Sequence, residues 1–358
     1  MNTPYFTRCC ITLLFCVVIC VAVEAQTRSG FTAGPVTAQP GEKASGMIQV
    51  PAGKDEATQI PVSVIHGAKP GPVLALVAGN HGYEYTPIIA LQRLLPRLDP
   101  KQMAGTVIMI HVANMPSFLK RTIYYSPVDG KNLNRVYPGK TDGTISERIA
   151  WQITKEAIER ADYVMDLHCG DGNEALGYYT YWDTKAGGAD VVERSKQMAL
   201  AFGFDHIVMD SERPSDPAKS LYCSTTATTR GKPAITIESG GLGATDHESV
   251  ARVERGVMNV MRHLKMIAGK PQMVETPLFI DQNAVLRSEA TGIFYPLVER
   301  NRSVAKGTLL GYVTDFFGKR IFDLRAPFSG TVLYIIATPP TSQGEPLAMI
   351  GHIVEPKQ

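Results

Sequence analysis

The stretch VLALVAGNHGYE, residues 73–84, decides how this chain is read. Its first half, VLALVA (73–78), has the length and apolar, β-branched content of a buried strand. The Gly-Asn pair that follows ends the strand and opens a loop presenting His81 and Glu84 three residues apart. Neutral imidazole and carboxylate are ligands that a Zn²⁺ ion accepts, and a catalytic zinc needs three protein ligands with one position left open. His-x-x-Glu on its own is equally met by a hydrogen-bonded turn histidine beside a solvated glutamate. Position adds weight, because active sites of α/β proteins gather beyond the carboxyl ends of strands. The third ligand is then expected from a distant strand end, and His168 in DYVMDLHCG (162–170) supplies it.

Residues 1–25 read as a signal peptide. Arg8 closes a short polar start, CCITLLFCVVICVAV (9–23) is the apolar core, and Val-Glu-Ala (23–25) favours cleavage after Ala25. The alternative is an uncleaved anchor helix, although the run is shorter than the ~20 residues a spanning helix needs. The expected location is therefore periplasmic or secreted, with no stable membrane insertion after cleavage. Cleavage would leave 358 − 25 = 333 residues, long enough for a sizeable core and two domains. Formal net charge is +2 and does not change on cleavage, since Arg8 and Glu24 leave together. Such balance argues against nucleic acid as a partner. Of six cysteines only Cys169 and Cys223 lie beyond the leader, enough for one bridge or for two buried thiols.

Onward from residue 46, strand-like runs alternate with helical ones. The strands are GMIQV (46–50), QIPVSVIHG (59–67), TVIMIHVAN (106–114), the run ending at His168, LGYYTYW (176–182), HIVM (206–209) and PAITIES (233–239). Helical spacing covers 87–98, 146–160, 189–202 and 247–267, the last with Val250, Val253, Val257, Val260 and Leu264 on one face. This predicts an α/β fold, a mixed, mostly parallel sheet flanked by helices, over residues 26–268. His66 and His111 read as structural. Residues 115–140 show little periodicity and read as a long functional loop. A linker is expected over 269–285. Short strands between Gly turns then predict a C-terminal all-β, barrel-sandwich-like module over 286–358.

The chemistry needs a base to move the water's proton to a leaving amine. Glu238 in TIESGG (236–241), at another strand end, is the candidate, unless it only binds the two following Gly amides. Asp166 shares a strand face with His168 and either orients its ring or is structural. In the long loop, NLNR (132–135) offers Asn134 and Arg135 for a substrate carboxylate. Arg121 is a candidate for polarising the scissile carbonyl.

With GNHGYE, DGKNLNRVYPG, DLHCG and TIESGG in that order, the chain resembles the succinylglutamate desuccinylase/aspartoacylase family of zinc deacylases, relatives of the zinc carboxypeptidases. The likeness spans most of residues 70–350. It implies one zinc per chain on His81, Glu84 and His168, an Asn134-Arg135 grip on the substrate carboxylate, and Glu238 as general base. Asn132 departs from the family, where many members have Asp, so the resemblance fixes no particular substrate. GKRIFDLRAPFSGTV (318–332) also resembles half of a biotinyl or lipoyl barrel, with Lys319 near a carrier position. Three functions are weighed: an exported zinc deacylase of small carboxylate-bearing amides, a carboxypeptidase on peptides or cell-wall stem peptides, and a non-catalytic binding protein.

Overall fold

The computed structural model describes Met1 and residues 28–354. The leader expected over 1–25 lies, save for Met1, outside them. The Lys69–Ala78 strand is the hub of the molecule. Leu74, Leu76 and Ala78 enter one hydrophobic core, while Ala75 and Val77 enter another on the opposite side. Successive side chains of a strand point to opposite faces, so burial on both sides explains why the run is apolar without alternation. Fully burying a leucine side chain contributes about 1.5–3 kcal/mol, and both Leu74 and Leu76 are completely buried.

Among the described residues the main sheet has 13 strands. From the hub, Ala104–Ile110 pairs parallel on one side, followed by Thr58–His66 and Glu42–Val50, both antiparallel. On the other side Tyr163–His168 and then Ala234–Ser239 are parallel. Tyr178–Asp183 joins Ala234–Ser239 antiparallel, and His206–Asp210 and Leu278–Arg287 continue parallel to it. Helices Tyr85–Arg97, Ala189–Phe202 and His247–His263 cover one face. Helices Ile145–Ile153 and Cys223–Thr228 and the Phe31–Ala38 hairpin cover the other.

Several segments read from the sequence take their detail from the structure. The segment read as a linker, 269–285, is strand from Leu278 onward. That strand carries the sheet across to Pro346–Ile353 and Gly330–Ile336, so the C-terminal strands share one sheet with the rest. A further sheet of four strands lies within residues 292–341. The long loop opens with a short helix, Met115–Lys120, capped by the Asn114 side chain accepting from the Ser117 N–H. The helix expected over 146–160 spans Ile145–Ile153 and relaxes into a wider turn over Thr154–Ile158. Cys169 and Cys223 are free and buried, not bridged. Lys319 is exposed in the turn before the Arg320–Arg325 strand. No helix among the described residues is long and apolar enough to cross a membrane.

Candidate active site

Two glycines shape the loop after the hub strand. Gly79 turns the chain with φ +74°, a conformation that favours glycine. A Cβ on Gly82 would lie 2.1 Å from the Ser117 carbonyl carbon, so the loop packs directly on the helix it faces. The loop thereby presents His81 and Glu84 beside the end of Tyr163–His168. His81 Nδ1 lies 2.6 Å from Glu84 Oε1, and His168 Nδ1 lies 2.8 Å from Glu84 Oε2. One ligand atom from each of these buried residues falls within 4.8 Å of the others.

The far side of each ring is held. His168 Nε2 lies 2.9 Å from Asp166 Oδ1, and His81 Nε2 lies 3.0 Å from Asn132 Oδ1. An oxygen accepting the Nε2 proton leaves the Nδ1 lone pair for a cation. Asp166 is itself fixed by Asn80 Nδ2, which donates to Oδ1 at 2.7 Å, and by Asn134 Nδ2, which donates to Oδ2 at 3.2 Å. The donor set of two imidazoles and a carboxylate, converging and oriented from behind, fits a divalent ion such as zinc.

Charges in the cluster are strongly coupled. Burial pushes the Glu84 carboxyl up, but the imidazoles of His168 and His81 outweigh it and hold it at about 2. Burial alone would lower His168, yet Asp166 and Glu84 raise it well above the usual imidazole value. Burial drives Glu238 well above the carboxylate range; His168 opposes this, while Glu84 and Glu174 add to it. Glu238 Oε2 is buried and has no hydrogen-bond partner among the described residues. A carboxyl of this kind, lining the cleft with His81 and Glu84, is able to hold and release a proton.

His81, Glu84 and Glu238 open onto a cleft of about 1250 Å³. His81, Glu84, Asn132, Arg135 and Glu238 line it, and the other wall comes from the C-terminal strands, with Arg287, Tyr334 and Met349. Arg135 is exposed at the rim, with its guanidinium 4.5 Å above the centre of the Tyr222 ring and Nη1 donating to the Asn134 carbonyl at 2.8 Å.

Two sequence-predicted residues lie elsewhere. Asn134 is buried and does not line the cleft. Its Oδ1 accepts the Cys223 N–H at 2.8 Å and its Nδ2 serves Asp166, so it braces the site instead of facing substrate. Arg121 is exposed, ends the Met115–Lys120 helix with φ +54°, and is not among the cleft residues. Sequence reasoning also missed Glu174 and Asp171. Burial pushes Glu174 to about 7, and burial together with the Glu84 charge pushes Asp171 to about 6. The run DGNE (171–174) directly after DLHCG is the signal that could have found them.

Known proteins resemble this chain in sequence and in fold. The family model for the succinylglutamate desuccinylase/aspartoacylase catalytic domain matches residues 70–264. The N-alpha-acetyl-L-2,4-diaminobutyric acid deacetylase of Halomonas elongata is 32% identical over 323 residues, covering 87% of this chain and 92% of that protein. The product-bound structure of the ectoine utilization protein EutE of Ruegeria pomeroyi has a TM-score of 0.78 at 26% identity, covering 91% of this chain and 96% of that one. A succinylglutamate desuccinylase/aspartoacylase structure from Rhodobacter sphaeroides has the same fold, with a TM-score of 0.77 at 24% identity over 92% and 97% of the two chains.

Proposed function

This chain belongs to the succinylglutamate desuccinylase/aspartoacylase family, and from that premise we propose that it is a zinc-dependent deacylase that hydrolyses the amide of a small N-acyl amino acid. The observation that carries the reading is the meeting of His81, Glu84 and His168 at the ends of separate elements, with Glu238 beside them. The name of the Halomonas relative, a deacetylase of an N-acetylated amino acid, supports the choice of bond.

In this reading His81 Nδ1, a Glu84 oxygen and His168 Nδ1 hold one zinc per chain, while Asn132 and Asp166 fix the two rings. A divalent ion held there would supply Lewis-acid polarisation of a carbonyl and would lower the pKa of water toward neutrality. Glu238 accepts the proton of the attacking water at its unpartnered Oε2 and returns it to the departing amine. Arg135, pre-set over Tyr222, forks onto the substrate carboxylate. The C-terminal barrel-sandwich-like module, over its described residues 286–354, closes one side of the cleft and limits access of bulk water to the amide. The apolar run 9–23 supports export to the periplasm or beyond.

A peptide-directed activity is the second reading, favoured by the size of the cleft, which exceeds the ~300–1,000 Å³ of common small-molecule pockets. Purified protein incubated with Nα-acetyl amino acids and, separately, with dipeptides decides between the two. The deacylase reading expects acetate release with little dipeptide cleavage. Dipeptide cleavage without acetate release contradicts it.

A further inference from the structure

The guanidinium that grips the substrate carboxylate in this reading shares its tyrosine with a second one. Arg135 lies 4.5 Å from the centre of the Tyr222 ring, and Arg213 lies closer, at 3.7 Å. Arg213 belongs to a mostly exposed loop, 211–219, that follows the His206–Asp210 strand. Its own side chain turns inward and is only 17% exposed. Nε donates to the Asp210 carboxylate, and Nη1 is buried with no hydrogen-bond partner among the described residues. Asp210 is fixed in turn, its carbonyl accepting from the Thr184 N–H at 2.9 Å and from Thr184 Oγ1 at 3.1 Å. On the other flank, Leu221 and Tyr137 exchange main-chain hydrogen bonds of 3.0 and 3.2 Å, which tie the backbone before Tyr222 to the loop carrying Arg135. Arg213 does not line the cleft, and the cavity beside it, about 10 Å³, is too small for a substrate group.

We propose that Arg213 is a positioning residue for binding of the substrate carboxylate: it clamps the Tyr222 ring, and the clamped ring holds the Arg135 guanidinium ready at the rim. The inference rests on the deacylase reading. A planar guanidinium stacks on an aromatic face and is attracted to its electrons. The main-chain ties fix where the Tyr222 side chain begins, but they leave its ring free to choose among rotamers. Arg213 removes that freedom. Two like charges at one ring repel each other, and the Asp210 carboxylate offsets the one on Arg213. The Arg135 charge is left for the substrate. A long side chain loses rotamer freedom when it is immobilised, so ordering Arg135 beforehand lowers the cost of binding. The gain is in affinity and not in the rate of bond breaking.

The test compares an Nα-acetyl amino acid with its α-carboxamide, which offers Arg135 no carboxylate, on the purified full chain. Arg213→Gln should raise KM for the acid about 3–30-fold, the loss expected from one cation–π contact, with kcat changed less than twofold. The preference for acid over carboxamide should narrow by the same factor. Tyr222→Leu, which leaves the Arg213–Asp210 pair in place, should reproduce both effects, and Tyr222→Phe, which keeps the ring, should stay closer to wild type. In the Arg135→Ala background Arg213→Gln should add no further rise in KM, because both changes act on one contact. An unchanged KM in either Arg213→Gln or Tyr222→Leu, an equal loss on acid and carboxamide, or additive losses in the double variant overturn the clamp while the deacylase reading survives. Release of acetate from no Nα-acetyl amino acid by the wild type overturns both.

Discussion

Glu238 and His168 are Cα partners on neighbouring parallel strands, Ala234–Ser239 and Tyr163–His168. Both side chains therefore leave the same face of the sheet. It is the face of Val164 and Ala234, opposite the core that takes Met165, Leu167, Ile235 and Ile237. Asp166 shares that face by the same two-residue period, which is how one strand delivers a candidate ligand and the carboxylate that orients it. Parallel pairing sets the proposed base beside the proposed ligand through main-chain hydrogen bonds, before any side-chain contact is considered.

Removing the proton acceptor should stop turnover without emptying the site. Glu238→Gln keeps the shape and lies outside the three-residue ligand set. The expected result is a fall of about 10²–10⁴-fold in kcat, measured by acetate release, with bound metal per chain unchanged by elemental analysis. Unchanged turnover would remove Glu238 from the mechanism.

Asp166 acts through His168. Asp166→Asn should weaken metal binding by about 10–100-fold, the usual effect of losing the group behind a ligating imidazole. Titration with a competing chelator measures this directly. An unaltered affinity would make Asp166 a structural residue.

Arg135 is expected to bind substrate and take no part in bond breaking. Hydrogen bonds to charged groups contribute about 1.5–3 kcal/mol, so Arg135→Ala should raise KM roughly 10–100-fold with kcat little altered. A fall in kcat at constant KM would contradict this role.

Glu147 gives a prediction about acid stability away from the site. Its Oε2 accepts the Thr144 N–H at 2.9 Å and pairs with Lys131 at the same distance. Burial pushes this carboxyl up, but those partners outweigh it and hold it at about 2. A folded-state value below the unfolded one means stability that is complete above about 4.5 and is lost as pH falls from there toward about 2. Glu147→Gln should therefore lower Tm at pH 7 and flatten the Tm profile across that window. Identical profiles for variant and wild type would refute it.

Much of the fold was legible because buried strands announce themselves: VLALVA and TVIMI are apolar on both faces since both faces meet helices or loops. The strand Leu278–Arg287 was not, because most of its side chains are at least partly exposed and its place comes from main-chain pairing with His206–Asp210 and Pro346–Ile353. The same limit hid the cleft wall. Glu174 and Tyr334 meet only through a pairing across some 160 positions; the DGNE run marks Glu174 locally, but nothing local marks Tyr334. Asn134 shows the converse error: the motif placed it near the site, but only the fold shows both ends of its amide engaged by Asp166 and Cys223.

Metal content tests the central claim most directly. Elemental analysis of the purified chain should find about one zinc per molecule, and His168→Ala should lose most of it together with acetate release. Chelator-treated wild type should be inactive and regain activity with added zinc. Zinc-free protein that hydrolyses the amide at the full rate would contradict the account.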